Sequence, residues 1–268
     1  ESPPAHITSP KGKTHSQLSY SGGITRPSYD MLRGNIYYGN RYTYQTGNPF
    51  LKPIINQDLI FSASYKWVNF SFTYNRTKDD IIQVCEPYSE ADTTLNLQKT
   101  VNTEPYNNII SAITLSPTIR CWSPQLTAQV FKQWLHAEGP DGKLTLSKPR
   151  TIIVWRNSFT LPAGFLFDVD GTYYTKGHSQ NMYMGINSLD VSMGLYKSFF
   201  KERLSFQLQV TNLLEKDDVD CTIYSGIKTT TDYITNFRRI SLTMRYKFNA
   251  TKSKYKGTGA GESQKNRM

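Results

Sequence analysis

Hydrophobic and polar residues alternate strictly along several stretches of the chain. Successive side chains of a β-strand point to opposite faces, so a period of two predicts strands with one apolar and one polar face. Residues 204–211 and 240–248 show the clearest alternation, and residues 59–65, 68–74 and 189–196 share it. No helical period extends over a comparable length. The pattern therefore predicts an all-β protein.

Ten strands follow from this alternation and from the turn residues between them. We expect an antiparallel up-and-down meander of strands near 16–25, 57–66, 69–77, 105–115, 123–134, 151–161, 164–174, 186–197, 204–212 and 238–248.

The connections between these strands alternate in length. Short turns at one end of the meander face long loops, such as 26–56 and 213–237, at the other end. Outer-membrane barrels have this asymmetry, whereas a β-sandwich has no reason to sort its loops by length. Aromatic residues also gather at the short-turn end, as in the girdles at a lipid–water interface. They are Tyr65, Trp67, Trp122, Phe199, Phe200, Tyr246 and Phe248.

Composition narrows the function classes. Aromatic residues make up 13% of the chain although its mean hydropathy is −0.52, which fits a membrane barrel but also a soluble sugar-binding β-sandwich. The net charge of +10 is not gathered into a basic stripe, so we expect no nucleic-acid partner. Basic residues are dense only in the tail. We expect residues 249–268 to form a disordered basic tail on the short-turn side.

Catalytic and metal-binding motifs are missing from the sequence. The four histidines and three cysteines lack ligand spacing, so we expect no enzyme activity, no metal and no cofactor. Cys85 and Cys221 both fall toward the long-loop end, where an oxidising surface permits a disulfide. The odd cysteine count argues against a designed framework, so both alternatives stay open.

Two sets of residues are candidates for binding. The long loop 26–56 is rich in aromatic side chains, which suit ligand capture because rigid rings give contact area at low entropy cost. Packing between loops accounts for them equally well. These residues are Tyr37, Tyr38, Tyr42, Tyr44 and Phe50. The residues of the second set occupy the polar positions of their alternating strands. They would line a barrel lumen, or simply be solvated there. It consists of Asp168, Asp170, Asp190, Arg239 and Arg245.

Three motifs in sequence order resemble TonB-dependent receptors. The stretch 24–29 (ITRPSY) is followed by 47–53 (GNPFLKP), which resembles a loop of that family reading G-N-P-x-L-K-P. Residues 210–214 (VTNLL) are similar to its penultimate strand, and the last strand resembles its terminal strand with a final aromatic, Phe248. Ile54 and Leu214 depart from the glutamate and phenylalanine that the family usually has.

The resemblance implies a 22-stranded barrel in the cell outer membrane. Residues 1–248 would then be a partial transmembrane barrel, with a strand through 1–9, a turn at 10–13 and ten complete strands. Because such a piece holds under half of the barrel, we expect an open half-barrel without pairing between 16–25 and 238–248.

The resemblance also implies partners and a function. The partners are outer-membrane lipid, an upstream plug domain, TonB and a surface lipoprotein, and the implied function is TonB-dependent uptake of a nutrient. The alternative is a non-transporting outer-membrane scaffold or a secretion-associated barrel.

Overall fold

The computed structural model describes residues 5–11, 14–89, 92–139, 142–214, 218–225, 227–234 and 237–248. Almost all of the regular structure in these residues is β-strand, with one short α-helix, α1, at Tyr29–Leu32 and one 3-10 turn at Pro162–Gly164. None of the helices in this part of the chain is both long and apolar enough to cross a membrane.

The strands fall into one large sheet and three small sheets. In chain order they are β1 (Ala5–Lys11), β2 (Thr14–Thr25), β3 (Ile36–Asn40), β4 (Thr43–Thr46), β5 (Ile54–Tyr65), β6 (Val68–Lys78), β7 (Ile81–Ser89), β8 (Asp92–Asn102), β9 (Tyr106–Leu115), β10 (Trp122–Gln133), β11 (Leu135–Gly139), β12 (Gly142–Leu146), β13 (Arg150–Leu161), β14 (Phe165–Tyr174), β15 (Gly177–Ser179), β16 (Met182–Met184), β17 (Ser188–Phe199), β18 (Leu204–Thr211), β19 (Asp218–Ser225), β20 (Ile227–Ile234) and β21 (Arg239–Tyr246).

The large sheet is an antiparallel meander of eleven strands in the order β1-β2-β5-β6-β9-β10-β13-β14-β17-β18-β21. The last ten of these are the ten strands that the alternation predicts, and their ends lie within three residues of the predicted ends. The strand expected at 1–9 is β1, which is described over Ala5–Lys11 and pairs with β2. The fold class predicted from the sequence is therefore confirmed.

The large sheet is open within the described residues. Its pairings begin at β1 and end at β21, and these residues contain no ladder between β21 and either β1 or β2. The open half-barrel expected from the sequence is therefore present. Backbone groups along the outer edges of β1 and β21 lack a strand partner among the described residues.

One face of the large sheet is apolar from the second strand to the last. In one cross-strand row, Leu242 lies opposite Leu208, which lies opposite Leu195, which lies opposite Phe167. Phe61, on β5, lies opposite both Leu18 and Phe72. These positions stay accessible because no second layer packs on them, and Leu208 is 41% exposed. An uncovered apolar face of this breadth suits lipid rather than water.

Aromatic side chains lie at the short-turn end, as the sequence predicts. The rings of Trp122 and Phe159 stack with centroids 6.2 Å apart, and those of Tyr246 and Phe248 meet edge to face at 4.5 Å. Aromatic rings at this end of the sheet are suited to the membrane–water interface of a bilayer.

The five long connections do not run as irregular loops. We name them loop 1 (26–53), loop 2 (79–105), loop 3 (134–149), loop 4 (175–187) and loop 5 (212–238). Loops 1 and 2 share the sheet β3-β4-β8-β7, loops 4 and 5 share the sheet β15-β16-β19-β20, and loop 3 forms the hairpin β11-β12. We call these three sheets together the cap.

The buried core of the described residues lies at the cap and not in the large sheet. All seven buried hydrophobic residues belong to the long loops or to the strand end that joins them. They are Leu51, Ile82, Tyr106, Leu135, Ala137, Leu146 and Cys221. The large sheet has apolar side chains without a protein layer over them, and the cap has a packed interior of its own.

The predicted basic tail, residues 249–268, lies outside the described residues and stays a prediction.

Substitution on β18 tests the orientation of the sheet. Leu208 lies on the apolar face and its neighbour Gln207 on the polar face. Leu208→Arg should destabilise the assembled barrel by about 2–4 kcal/mol, because the charge would face the bilayer interior, whereas Gln207→Arg should cost little. Heat-modifiable gel mobility and denaturant unfolding of the full-length protein measure both variants. Equal tolerance of the two would contradict the orientation.

Candidate functional site: the loop cap

Three tyrosines form a row on one face of the sheet that loops 1 and 2 share. Tyr38 lies opposite Tyr44 in the β3–β4 pair, and their rings meet edge to face with centroids 6.0 Å apart. The Tyr44 ring stacks on Tyr88 at 4.7 Å. Tyr88 belongs to loop 2, and the sequence analysis missed it because it is a single aromatic far along the chain. We call Tyr38, Tyr44 and Tyr88 the tyrosine row.

The other predicted aromatic residues of loop 1 do not join this row. Tyr37 points to the opposite face of the sheet, where its cross-strand neighbour Gln45 donates a 2.9 Å hydrogen bond to Gln98. The Arg41 guanidinium lies over the Tyr42 ring, 5.7 Å from the ring centre. Phe50 is 87% exposed, away from the tyrosine row. The structure thus brings together two of the five predicted aromatics.

The Gly-Asn-Pro segment of loop 1 fastens that loop to loop 2. Gly47 donates its N–H to the Arg33 carbonyl at 2.8 Å, and a Cβ at Gly47 would strike the carbonyl oxygens of Arg33 and Met31. Asn48 then donates its side-chain amide to the Thr100 carbonyl of β8 at 3.1 Å. These contacts explain why this segment needs glycine followed by asparagine.

A cleft continues from the tyrosine row on the same face of the loop sheet. Tyr44 is in register with Leu97 and Leu97 with Glu86, so Glu86, Val84 and Ile82 share that face. The cleft has a volume of about 250 Å³ and lies where loops 2, 3 and 5 meet. Ile82 and Val84 give it an aliphatic wall, and polar side chains surround that wall.

Loop 4 connects the other loops through one buried asparagine. The Asn181 side chain is 3% exposed and donates to two carbonyls, Gln83 of loop 2 at 2.8 Å and Tyr224 of loop 5 at 3.1 Å. Both N–H groups of a single amide therefore hold two different loops. A buried carbonyl that lost such a donor would be left unsatisfied.

The residue before Asn181 extends these connections to the end of the large sheet. Gln180 donates its backbone N–H to the Gln133 side-chain oxygen at 2.9 Å and accepts the Gln133 amide on its own carbonyl at 2.6 Å. Gln133 is the last residue of β10 and is 1% exposed. The Gln180 amide also reaches Asp80 of loop 2 at 3.4 Å, and Asp80 accepts the Tyr106 hydroxyl at 2.6 Å.

His178 makes a second connection, between loops 4 and 3. Its backbone N–H donates to the Lys148 carbonyl at 3.1 Å, and the Lys148 N–H donates to its ring Nδ1 at 3.0 Å. The ring is 5% exposed and lies between Tyr183 and Tyr224, at 5.3 and 6.1 Å. Burial, and then the charge of Lys148, hold the pKa of His178 below its ordinary value. The neutral ring is the form that can accept at Nδ1.

The five predicted lumen residues all lie on the polar face of the large sheet. Asp168 is opposite Gly194 and Asp170 opposite Ser192, so these two carboxylates are two residues apart on one face. They line a polar depression of about 440 Å³. Asp190 pairs with Thr172, and Arg239 and Arg245 pair with Thr211 and Ser205. These last three residues do not line the depression.

Arg156 completes the charged group in that depression. It lies directly opposite Asp170 in the β13–β14 pair and lines the same depression. The sequence did not reveal Arg156, because apolar residues such as Ile152 and Ile153 occupy both odd and even positions of β13. Its polar face therefore cannot be identified from alternation alone.

The disulfide left open by the sequence is not formed between Cys85 and Cys221. The Cys85 carbonyl accepts the Ser225 hydroxyl at 3.2 Å, and Cys221 is four residues from Ser225 along β19. Four strand residues span about 13 Å, so the contact with Ser225 places Cys85 beside the end of β19 and not beside Cys221. The described residues also contain no group of three or more His, Cys, Asp or Glu side chains able to hold a metal ion.

Removing the Asn181 amide tests whether the loops of the cap stabilise one another. Asn181→Ala should weaken the cap by about 1–3 kcal/mol, because the two hydrogen bonds that join loop 4 to loops 2 and 5 are lost, each contributing roughly 0.5–1.5 kcal/mol. Hydrogen exchange of the full-length protein should then accelerate in both loop 2 and loop 5. The matched control is Asn187→Ala in the same loop, whose side chain is exposed and bonds only the Lys176 N–H. Faster exchange confined to loop 4 would contradict a shared cap.

The His178 contact should depend on pH. Because its pKa is lowered in the fold, the contact is fully stable above the ordinary histidine pKa of 6.5. That stability is lost as the pH falls through the folded pKa, since the charged ring cannot accept from Lys148. The protection factors of amides at the junction of loops 3 and 4, which correct for the intrinsic pH dependence of exchange, should therefore fall as the pH is lowered from 7.5 to 5. His178→Asn, which keeps an acceptor and does not titrate, should remove the dependence. An unchanged pH dependence in that variant would refute the assignment.

Several solved structures share this fold at low sequence identity, whereas no curated protein matches the chain. The siderophore receptor PirA from Pseudomonas aeruginosa superposes with a TM-score of 0.57 at 12% identity, over 80% of this chain and 39% of that one. A double mutant of the ferric enterobactin receptor PfeA from Pseudomonas aeruginosa gives 0.52 at 13% identity, over 90% and 39%. A PfeA mutant in complex with enterobactin gives 0.51 at 12%, over 84% and 36%. The chain thus spans less than two-fifths of each of these proteins.

A family model gives the stronger result. The model described as the outer membrane protein beta-barrel family matches residues 2–246, which include every strand of the large sheet. The match agrees with the uncovered apolar face, the aromatic ends and the sorting of turns and loops. The chain therefore belongs to the outer membrane protein beta-barrel family, and its large sheet is part of a barrel in the cell outer membrane.

Proposed function

We propose that this chain is the C-terminal part of a TonB-dependent receptor that takes up a nutrient through the outer membrane. The observation that carries the proposal is the cap. All five long loops lie at one end of the sheet, and buried side chains bind loops 2, 3, 4 and 5 to one another. Loop 1 joins them through the β4–β8 pair. A rigid surface of this kind is suited to ligand capture, because its groups are already ordered before the ligand arrives.

The tyrosine row and the adjoining cleft are the proposed ligand surface. Tyr38 is 70% exposed and Tyr88 43% exposed, so both rings can be covered by a ligand. Stacked rings supply a flat apolar surface with hydroxyl groups at its edge, which suits a molecule that has both ring faces and polar groups. Beyond the tyrosine row, the cleft extends about 13 Å along β7, from Glu86 to Ile82. Tyr37, on the opposite face of the loop sheet, and Tyr42 and Phe50, outside the tyrosine row, are not part of this surface.

The polar face of the large sheet would line the lumen. Asp168, Asp170 and Arg156 form its charged depression, while Asp190, Arg239 and Arg245 are spread along the same face. Charge is tolerated in a wet lumen and can hold an inserted domain. We propose that these residues contact a plug domain upstream of the chain, and that TonB acts on that plug. A surface lipoprotein is a further proposed partner of the cap.

Binding of TonB separates this proposal from the alternative, a non-transporting scaffold or secretion-associated barrel. The purified full-length protein in detergent should bind the purified C-terminal domain of TonB from the same organism in a saturable manner. Isothermal titration calorimetry measures it. Complete lack of binding, with a correctly folded barrel, would favour the scaffold.

Replacing two residues of the tyrosine row should reduce uptake without affecting assembly. A strain lacking the gene is first compared with its parent on a panel of siderophore, oligosaccharide and peptide sources, and the source it fails to use is the probe. Tyr44→Ser together with Tyr88→Ser should reduce uptake of that probe by about 5- to 150-fold, since the two stacking contacts together contribute roughly 1–3 kcal/mol.

The matched control is Tyr29→Ser, because Tyr29 is 88% exposed and lies outside the tyrosine row. Surface labelling should show equal amounts of all variants in the outer membrane. Normal uptake by the Tyr44/Tyr88 double variant would refute the proposed ligand surface.

A further inference from the structure

The charged residues of the large sheet are sorted by sign between its two faces. Lumen-facing positions of the described strands from β2 to β21 carry both signs, with the aspartates Asp58, Asp168, Asp170 and Asp190 and the arginines Arg150, Arg156, Arg239 and Arg245. The lipid-facing positions of the same described strands carry no carboxylate, and their charged residues are all basic: Arg76, Lys78, Lys132 and Lys197. A charge at a lipid-facing position is costly, so it is tolerated only where it reaches a polar partner. Because these residues have one sign only, they are suited to an anionic partner outside the barrel.

Three of these basic residues lie together at the long-loop end of the sheet. On β6, Arg76 and Lys78 end the row of apolar outward positions, and Lys132 ends the corresponding row on β10. Only β9 separates these two strands, where Asn107 lies opposite Arg76 and Ile109 lies opposite Lys132. Neighbouring strands are about 4.8 Å apart, so Arg76 and Lys132 are about 10 Å apart across the sheet. We call Arg76, Lys78 and Lys132 the outer basic patch.

The outer basic patch is directed toward the loops and away from the apolar band. The Lys132 ammonium lies 5.1 Å from the centre of the Trp134 ring. Trp134 is further toward the loops, where its N–H donates to the Asn107 carbonyl at 3.0 Å. Arg76 and Lys78 are exposed, and none of the three basic residues forms an ion pair with a carboxylate in the described part of the chain. Their charges are therefore available at the boundary between the apolar band and the loops.

We propose that the outer basic patch binds the phosphate groups of a lipid in the outer leaflet of the membrane. A guanidinium binds phosphate through paired N–H groups, and the two lysines add compact positive charges. Next to the patch on the same face lie the exposed apolar side chains of Phe72, Tyr74 and Val130, which contact the acyl chains of the same lipid. The patch thus fits a molecule with an anionic head and apolar chains.

The position of the patch favours a lipid over other anions. The strands β6, β9 and β10 each pair on both sides, so the patch lies within the sheet and not at its open edge. It is on the surface that contacts the bilayer, whereas an inserted domain would meet the opposite face. Free phosphate would satisfy the charges but would leave the apolar positions beside them uncovered. This inference rests on the family membership of the chain and does not depend on uptake or on TonB.

Two lipids that differ only in phosphate test the proposal. Fluorescently labelled lipid A, the phosphorylated glycolipid of outer leaflets, and its dephosphorylated form are titrated with the purified full-length protein in a nonionic detergent. Fluorescence anisotropy should show at least about tenfold tighter binding of the phosphorylated lipid, because each basic residue near a membrane surface strengthens binding to anionic lipid about fivefold. Equal affinity for the two lipids would overturn the proposal.

Variants identify the residues responsible, and heat-modifiable gel mobility confirms that each variant is folded. Arg76→Gln together with Lys132→Gln should lower the affinity for phosphorylated lipid A by about tenfold or more. Arg76→Lys together with Lys132→Arg keeps the charges and should retain most of the binding. The matched control is Lys197→Gln at the other end of the sheet, where the lysine ammonium lies over the rings of Phe165 and Phe199. Undiminished binding by the glutamine double variant, or an equal loss in the control, would contradict the assignment.

Other occupants of the patch give different results. Inorganic phosphate should displace labelled lipid A no better than chloride at the same ionic strength, and stronger displacement would assign the patch to the free ion. Size-exclusion chromatography should show the same oligomeric state for the unmodified protein and the glutamine double variant. A second copy of the chain, or another polypeptide, that is lost only from the double variant would assign the patch to a protein interface. Either result would overturn the lipid proposal without bearing on the receptor function, which the tyrosine-row variants test separately.

Discussion

Backbone hydrogen bonding is the constraint on which the rest of this structure depends. A strand in a bilayer has no water to satisfy its N–H and C=O groups, so each strand must pair with a neighbour on both sides. The large sheet meets this requirement through nine interior strands that each pair on both sides. Pairing then leaves the side chains free to follow one simple rule, apolar outward and polar inward. The result is a sheet without a hydrophobic core, because lipid takes the place of the second layer.

The cap obeys the opposite conditions. Its segments leave the bilayer and must bury their own apolar surface, which they do around Leu135 and Leu146, both fully buried. Burial of loops also removes backbone groups from water, and side-chain amides satisfy several of them. Gln133, Gln180 and Asn181 do so between loops that are far apart in sequence. The same amides therefore fix the relative positions of loops 2, 4 and 5. The ligand surface proposed above depends on that fixation.

The sequence predicts the large sheet well and the cap poorly, for a physical reason. Strands such as 204–211 face lipid on one side and water on the other. Apolar and polar residues must therefore alternate at every position, and this alternation is visible in the sequence. The cap strands are short, and what holds them is non-local: Asn181 binds carbonyls of residues 98 and 43 positions away. No local pattern reports such contacts. The aromatic content of loop 1 singled out Tyr38 and Tyr44, which the structure brings together, but their stacking partner Tyr88 is visible only once loops 1 and 2 are paired. For the charged face, alternation placed Asp168 and Asp170 on one side, and only the cross-strand register adds Arg156.

One face of the large sheet contacts lipid along its whole length, while the other faces a water-filled lumen. Spin labels placed singly at each residue from Leu204 to Thr211 of β18, in the full-length protein reconstituted in bilayers, test it most directly. Collision with oxygen, which is concentrated in lipid, and with a water-soluble nickel complex is measured at each site. We expect a period of two, with oxygen maxima at Leu204, Phe206, Leu208 and Val210 and nickel maxima at the residues between them. Uniform accessibility along the strand, or maxima in the opposite phase, would contradict it.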